Sequence, residues 1–524
     1  MKRVTHWLIL FILLAAALGI RIASPHFFHL PGNDIPEHIA YPMRLDFADA
    51  GRTVFRTTVD RLLSFPHGYT QAGGIYVIYK AFFDWMGVPI NPFTLALTHS
   101  LIGLASLLSV FAFIRSQCGF RDAILVTAVL AVVPVHVGIS AANSGYQLFK
   151  LTGIFLSLWR LHEWKQKPCH RTAALYALSL TFALGAGVDF FLTLILNILF
   201  MVWKHPENQV SSLRRIFSHP LVFIFAWLPL IAILVWHLYT VSLGFPRGVL
   251  ARLHSVVQPV THSRFEPLGV LSNLIILVGP LALLAPVAIS IPRVWREGAL
   301  VKVAAIQWLW EFVVLSVSGR GAWTSHIINL AAPSLILVWM FLKPLRHGLI
   351  IFITGGLLSG VLTLLVIFRL GPNEMRTTYG SRSYQETGIE ALGYLVRSGI
   401  LPVVAPPGRS EKNAFVVDFE GAWFFLGVDT LGMDDLMKER ERLNEHIVYV
   451  QRPDAHSALS QLIDTRVSSR TPTMEILDGS NVLMRIFSSP AIAAPVRMIQ
   501  SRNYKLRYYS TYFRMRDYQF MFLP

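Results

Sequence analysis

Residues 348–368 read GLIIFITGGLLSGVLTLLVIF, a run without a charged side chain. A helix rises about 1.5 Å per residue, so about 20 such residues cross the hydrocarbon core of a bilayer. The stretch is predicted to be a transmembrane helix. Working outward from it, comparable apolar runs lie near 7–22, 93–114, 122–138, 147–160, 173–188, 190–203, 220–242, 268–291, 300–318 and 326–342. Together they predict an α-helical polytopic membrane protein with about eleven transmembrane helices. The composition agrees. Apolar residues make up 54% of the 524 positions and charged residues only 15%, against roughly 25% charged in soluble chains. A soluble enzyme, a disordered chain and a fibrous repeat are excluded.

The net charge of +16 is explained by where the cations lie. Lys2 and Arg3, Arg115 and Arg121, Arg160 to Arg171, Lys204 to Arg215, Arg293 to Lys302, and Lys343 with Arg346 fill alternate connections between apolar runs. That is the positive-inside pattern, and nucleic acid is not an expected partner. The first run lacks a small-residue cleavage site and ends on Arg21, so it is read as an uncleaved helix. An odd number of spans then puts the N-terminus in the cytoplasm and everything after Arg369 outside. The two cysteines, Cys118 and Cys169, both fall in basic connections on the reducing side, and no disulfide is predicted.

Three segments are predicted to face outward. Residues 24–92 form a long first loop rich in Pro, His, Asp and Arg, with an amphipathic stretch at 74–85 suited to the interface. Residues 244–267 form a second, containing Arg264 and Glu266. Residues 371–524 read as a soluble α/β domain after a transmembrane domain of residues 1–370. In this domain, helices are expected at 384–398, 433–446 and 455–464, and strands at 401–405 and 415–418. A hairpin is expected from 474–477 and 482–486 around Asp478-Gly479-Ser480-Asn481. Residues 501–518 are read as a solvated strand or a membrane-lying arm.

The chemistry-bearing residues start just beyond the first span, in Pro31-Gly32-Asn33-Asp34-Ile35-Pro36-Glu37-His38. Two carboxylates and an imidazole at a membrane mouth suit a divalent cation facing an anionic leaving group. The same residues also suit a helix start, with Asp34 as cap and Glu37 as its partner. Lys150, four residues into an apolar run, either meets a lipid phosphate directly or snorkels to the interface. Arg264 and Arg320 lie on the outward side, and an arginine fork matches phosphate oxygens. His326 follows Arg320 by about one helical turn. No Walker loop, zinc-binding His-Glu-x-x-His pair or dinucleotide-binding glycine motif occurs.

These segments, in this order, resemble the GT-C superfamily of membrane glycosyltransferases, most of all the catalytic subunit of oligosaccharyltransferase and its archaeal and bacterial relatives. Gly32-Asn33-Asp34 with His38 is similar to the first-loop motif holding that family's metal-binding aspartate. Phe65-Pro66-His67-Gly68-Tyr69 and Leu184-Gly185-Ala186-Gly187-Val188-Asp189 are similar to two further segments. Gly319-Arg320 and 329–333 resemble the helix carrying its phosphate-binding arginine. Val416-Val417-Asp418-Phe419-Glu420-Gly421 resembles its Trp-Trp-Asp-Tyr-Gly signature.

The resemblance implies transfer of a sugar or oligosaccharide from a polyprenyl-phosphate- or diphosphate-linked donor to a protein, lipid or glycan acceptor. The reaction would take place on the outer face of a bacterial inner or archaeal plasma membrane. Asp34, Glu37 and Glu266 are the expected catalytic residues. His38, Lys150, Arg264, Arg320 and Asp418 are expected to bind substrate, and Asp34 to hold a divalent metal (Mn or Mg). Two departures stand out. Valines occupy the paired-tryptophan positions that hold the acceptor's hydroxyl residue. Ser144-Gly145-Tyr146-Gln147 replaces the second-loop acidic pair, which puts metal use in question. A single-sugar transferase using a polyprenyl monophosphate is the alternative within the class; a transporter or non-catalytic scaffold is the alternative outside it.

Overall fold

The break points of the apolar runs decide how the helices are cut. The computed structural model describes residues 2–24, 83, 85–87, 92–141, 146–185, 190–203, 219–228, 231, 267–296, 298–317, 324–368, 392, 414–417, 447–453, 458–478, 481–487, 496–500 and 518–522. The helices among them are α1 (Lys2–Ala23), α2 (Pro92–Cys118), α3 (Phe120–Val132), α4 (Pro134–Ala141), α5 (Tyr146–Gln166), α6 (His170–Gly185) and α7 (Phe190–Trp203). They continue with α8 (Pro267–Leu277), α9 (Leu284–Ser290), α10 (Ala299–Val317), α11 (Ile328–Leu342) and α12 (Gly348–Val366). Of the run at 220–242, only the start is described, as a helical turn at Pro220–Val222 passing into a π-helical turn at Phe223–Trp227.

Four of these helices are long and apolar enough to cross a bilayer, at Val4–Ala23, Leu97–Cys118, Ala299–Val317 and Gly348–Val366; α3 with α4 adds a fifth if the bent pair is one span. The sequence expectation was larger, about eleven, and the shortfall among the described residues has local causes. The run at 122–138 is cut where Val133 turns extended ahead of Pro134. The proline ring cannot follow a residue in helical conformation without a clash, and the two halves meet at 64°. The run at 268–291 is cut at Gly279, whose φ of 117° only glycine adopts without strain, and a 3-10 turn (Pro280–Leu283) follows. A Cβ on Gly279 would also collide with the Ser359 hydroxyl of α12. In α5, Lys150, Arg160, Glu163 and Lys165 interrupt the apolar pattern.

Small residues let the helices approach closely. A Cβ on Gly153 of α5 would lie 2.7 Å from the Ala183 backbone of α6, and one on Gly103 of α2 would lie 2.4 Å from the Ser140 Cβ of α4. Such contacts replace the hydrophobic drive that lipid does not supply. Helix α11 is buried on almost every side, as expected for a helix apolar all round. At its C-terminal end Trp339 Nε1 and Lys343 Nζ both donate to the buried Asp122 carboxylate of α3, at 3.0 and 2.8 Å.

A fully buried polar chain ties α1 to its neighbours. Arg21, with no exposed surface, donates through Nε to Ser140 Oγ at 2.6 Å and through Nη1 to the Ala17 carbonyl at 2.6 Å. Its Nη2 donates to His136 Nδ1 at 2.6 Å. A guanidinium has no acceptor, so His136 must be neutral at Nδ1 and carry its proton on Nε2. It therefore donates to Ser106 Oγ at 2.8 Å, and Ser106 passes its own proton to the Gly103 carbonyl at 2.7 Å. Ser140 donates in turn to the His136 carbonyl. Every bond in the chain has one direction.

The strands form a second unit. They are β1 (Ala414–Val417), β2 (Ile447–Gln451), β3 (Met474–Asp478), β4 (Asn481–Phe487), β5 (Val496–Gln500) and β6 (Tyr518–Phe522), in the order β1-β2-β4-β3-β5-β6. The β1–β2 and β3–β5 pairs are parallel; the other three are antiparallel. Helix α13 (Ala458–Val467) lays Ile463 and Val467 on Val416, Tyr449 and Phe487. The expected hairpin is β3–β4, the strand at 415–418 is β1, and α13 begins three residues later than expected. Strands β2, β5 and β6 were not anticipated. The expected elements at 384–398, 401–405 and 433–446, and the amphipathic stretch at 74–85, lie outside the described residues, apart from a few isolated positions.

Candidate functional site

Two buried polar clusters bear most directly on function among the described residues of the helical unit. One is the Arg21 chain. The other lies at the ends of α5, α10 and α11 that are opposite their basic connections. Lys150 stands four residues into α5 and Glu311 six residues before the end of α10, depths of about 6 and 9 Å along the helices. Lys150 Nζ and Glu311 Oε1 form an ion pair at 2.5 Å, with the side chains 5% and 3% exposed. On insertion scales a lone Lys or Asp at mid-helix costs roughly 2.5 to 3.5 kcal/mol, and pairing the two charges offsets part of that cost. In a membrane segment such groups mark substrate or ion sites by default.

Around the pair the hydrogen bonding is incomplete. Gln147 lies one turn before Lys150 on α5, and Gln307 one turn before Glu311 on α10. Gln307 Nε2 donates to the Asn329 carbonyl of α11 at 3.4 Å. Gln147 Nε2, Gln307 Oε1 and Asn329 Oδ1 are all buried without a hydrogen-bond partner. His326, buried in a 3-10 turn (Thr324–Ile327), leads into the same end of α11. Among the described residues the cluster thus offers the Lys150 ammonium, the Glu311 carboxylate, and an amide donor and acceptors that are buried without a partner.

Of the residues expected from sequence, the structure describes Lys150, which is buried and paired with Glu311. Asp34, Glu37, His38, Arg264, Glu266, Arg320 and Asp418 lie outside the described residues. Glu311 escaped the sequence reading although its signal was present: a carboxylate between Trp310 and Phe312 in a largely apolar helix. Among the described residues no group of three or more His, Cys, Asp and Glu gathers to hold a metal. At the second loop, the neutral Gln147 and the ammonium of Lys150 are a donor set that does not fit a divalent cation.

Near the basic connections, neither Cys118 nor Cys169 is in a disulfide. Cys169 is exposed, and hydrogen bonding to the Thr172 hydroxyl, 3.4 Å from its sulfur, holds its pKa below the usual thiol value.

No family model matches the chain, and no curated protein does either. Among solved structures the chain is similar to ArnT from Cupriavidus metallidurans bound to undecaprenyl phosphate, at 13% identity and a TM-score of 0.53. The likeness covers 93% of this chain and 99% of ArnT. It is similar to apo ArnT at 14% identity and a TM-score of 0.54, over 92% and 98% of the two chains. The archaeal oligosaccharyltransferase AglB from Archaeoglobus fulgidus, in complex with an inhibitory peptide and a dolichol-phosphate, is similar at 11% identity and a TM-score of 0.48, over 97% and 71%. The fold is like that of ArnT, in line with the resemblance to membrane glycosyltransferases read from the sequence.

Proposed function

We propose that this chain is an integral-membrane glycosyltransferase that takes a sugar from a polyprenyl-phosphate carrier and passes it to an acceptor at the outer face of the membrane. The observation carrying this reading is the fold shared with ArnT, whose ligand is undecaprenyl phosphate, over nearly the full length of both chains. In this reading about eleven spans carry the donor site, and residues 371–524 form an outward domain on the acceptor side, with Asp418. Asp34 is the catalytic carboxylate, acting as base, with Glu37, His38 and Glu266 in support. Arg264, Arg320 and Lys150 neutralise the phosphate as it leaves, and no step is routed through a metal.

Two observations favour a single sugar on a monophosphate over an oligosaccharide on a diphosphate. ArnT holds a monophosphate. Val416 and Val417, where paired tryptophans would hold a peptide acceptor, are buried in the sheet, Val416 in its core against Tyr449 and Ile463. They present no surface to a peptide.

Mass spectrometry of lipid-linked sugars and glycoconjugates after gene deletion tests the reading. A monosaccharide polyprenyl phosphate is expected to accumulate while one glycoconjugate loses that sugar. Accumulation of a diphosphate-linked oligosaccharide would favour the broader oligosaccharyltransferase reading, and an unchanged profile would remove both. Orientation has its own test. With the N-terminus inside, a membrane-impermeant maleimide should label Cys169 in inverted vesicles and spare it in intact cells. Its lowered pKa should make it react faster than Cys118. Labelling in intact cells would reverse the topology.

A further inference from the structure

We infer that Glu311 is a resident counter-ion, which Lys150 exchanges for the phosphate of the donor when the donor binds. The inference rests on the donor reading above and assigns a specificity role to a residue that reading does not use. Its basis is the mismatch within the cluster. An ion pair that served only to hold α5 against α10 would have its neighbours' hydrogen bonds filled, since buried polar groups nearly always are. Here Gln147 Nε2 and Gln307 Oε1, each one helical turn along its helix from the pair, and Oδ1 of Asn329, whose carbonyl accepts from Gln307, have no partner, and the three residues are at most 2% exposed.

The missing partners are of both kinds, a donor on α5 and acceptors on α10 and α11. A metal or a bare anion would fill only one kind. A sugar phosphate fills both: its phosphate oxygens accept from Gln147 and the Lys150 ammonium, while sugar hydroxyls donate to Gln307 and Asn329. Glu311 then acts as an electrostatic competitor. In a medium of low dielectric two anions contend for one ammonium, and only a ligand carrying a phosphate displaces the carboxylate. A polyprenyl alcohol, with the same tail and no charge, leaves the pair closed. Glu311 thereby discriminates against uncharged isoprenoids and keeps Lys150 neutralised in the empty site.

The test measures binding of undecaprenyl phosphate, with undecaprenol as control, to the full-length protein in lipid nanodiscs. Wild type is expected to prefer the phosphate. E311Q, which keeps an oxygen for Lys150 but removes the competing charge, should bind undecaprenyl phosphate about tenfold more tightly, with undecaprenol binding unchanged. That change corresponds to about 1.4 kcal/mol. The neutral double variant K150M/E311Q should prefer the phosphate less than wild type does, since only Arg264 and Arg320 would then remain to meet it. Equal or weaker phosphate binding by a monodisperse, thermally intact E311Q would make the pair purely structural and overturn the exchange, leaving the donor reading in place. Equal binding of phosphate and alcohol by wild type would remove the donor reading together with the inference.

Discussion

Asp34→Ala is expected to lower sugar transfer by about two to four orders of magnitude, the range in which positioned acid–base groups contribute. The assignment joins two features: Asp34 is the first carboxylate after α1, and the GT-C fold likeness extends over nearly all of the chain. The acceptor hydroxyl or amide needs a base, and the leaving phosphate needs cations. With the second-loop acids replaced by Ser144-Gly145-Tyr146-Gln147, fewer carboxylates remain for the basic role. The loss should therefore fall on kcat, while donor KM and the binding of undecaprenyl phosphate stay near wild type. Full activity in the variant would take the catalytic role away from Asp34. A rise in KM at constant kcat would make it a binding residue.

Lys150→Met should be the most destabilising single change in the helical unit. It leaves Glu311, 3% exposed, as a buried carboxylate without its ammonium 2.5 Å away. Breaking a buried pair from one side costs about 3 to 5 kcal/mol, whereas replacing both members with neutral groups is often close to harmless. Thermal unfolding in detergent should therefore show K150M well below wild type and K150M/E311Q recovering most of the loss. The coupling from the double-mutant cycle isolates the pair. If the double variant were as unstable as the single one, the loss would come from packing of the lysine stem rather than from the stranded charge.

The helical unit was legible because lipid imposes a plain rule on composition, and runs of apolar residues mark helices whatever else they do. The cuts at Val133–Pro134 and Gly279 were less so. Both residues were visible in the sequence, but a proline or glycine in an apolar run is often tolerated there, and only packing decides whether the helix breaks. In the second unit the β3–β4 hairpin announced itself through its turn residues. Strands β2 and β5 did not, since each pairs in parallel with a strand distant in the chain, and no local turn signals a parallel partner.

Lys150 was singled out as a charge in an apolar setting, and the same reasoning applied to Glu311 would have identified it. That the two meet across 161 residues was not deducible, because helix order in a bundle follows from packing that single-chain periodicity does not encode. The valines at 416 and 417 show the converse. Their departure from a tryptophan pair could be read directly, and their burial gives it a physical meaning.

The Arg21 chain has a consequence for biogenesis. Its partners, among them Ala17, Gly103, Ser106, Ala131, His136 and Ser140, lie within the first 141 residues. Segments emerging from the ribosome fold in order from the N-terminus, so the guanidinium can be satisfied by α1, α2 and α4 before α5 is synthesised. The ion pair between Lys150 and Glu311, by contrast, can close only once residue 311 has been made. The early helices can therefore close as an assembly nucleus, while the Lys150–Glu311 pair forms only when the nascent chain is more than half complete.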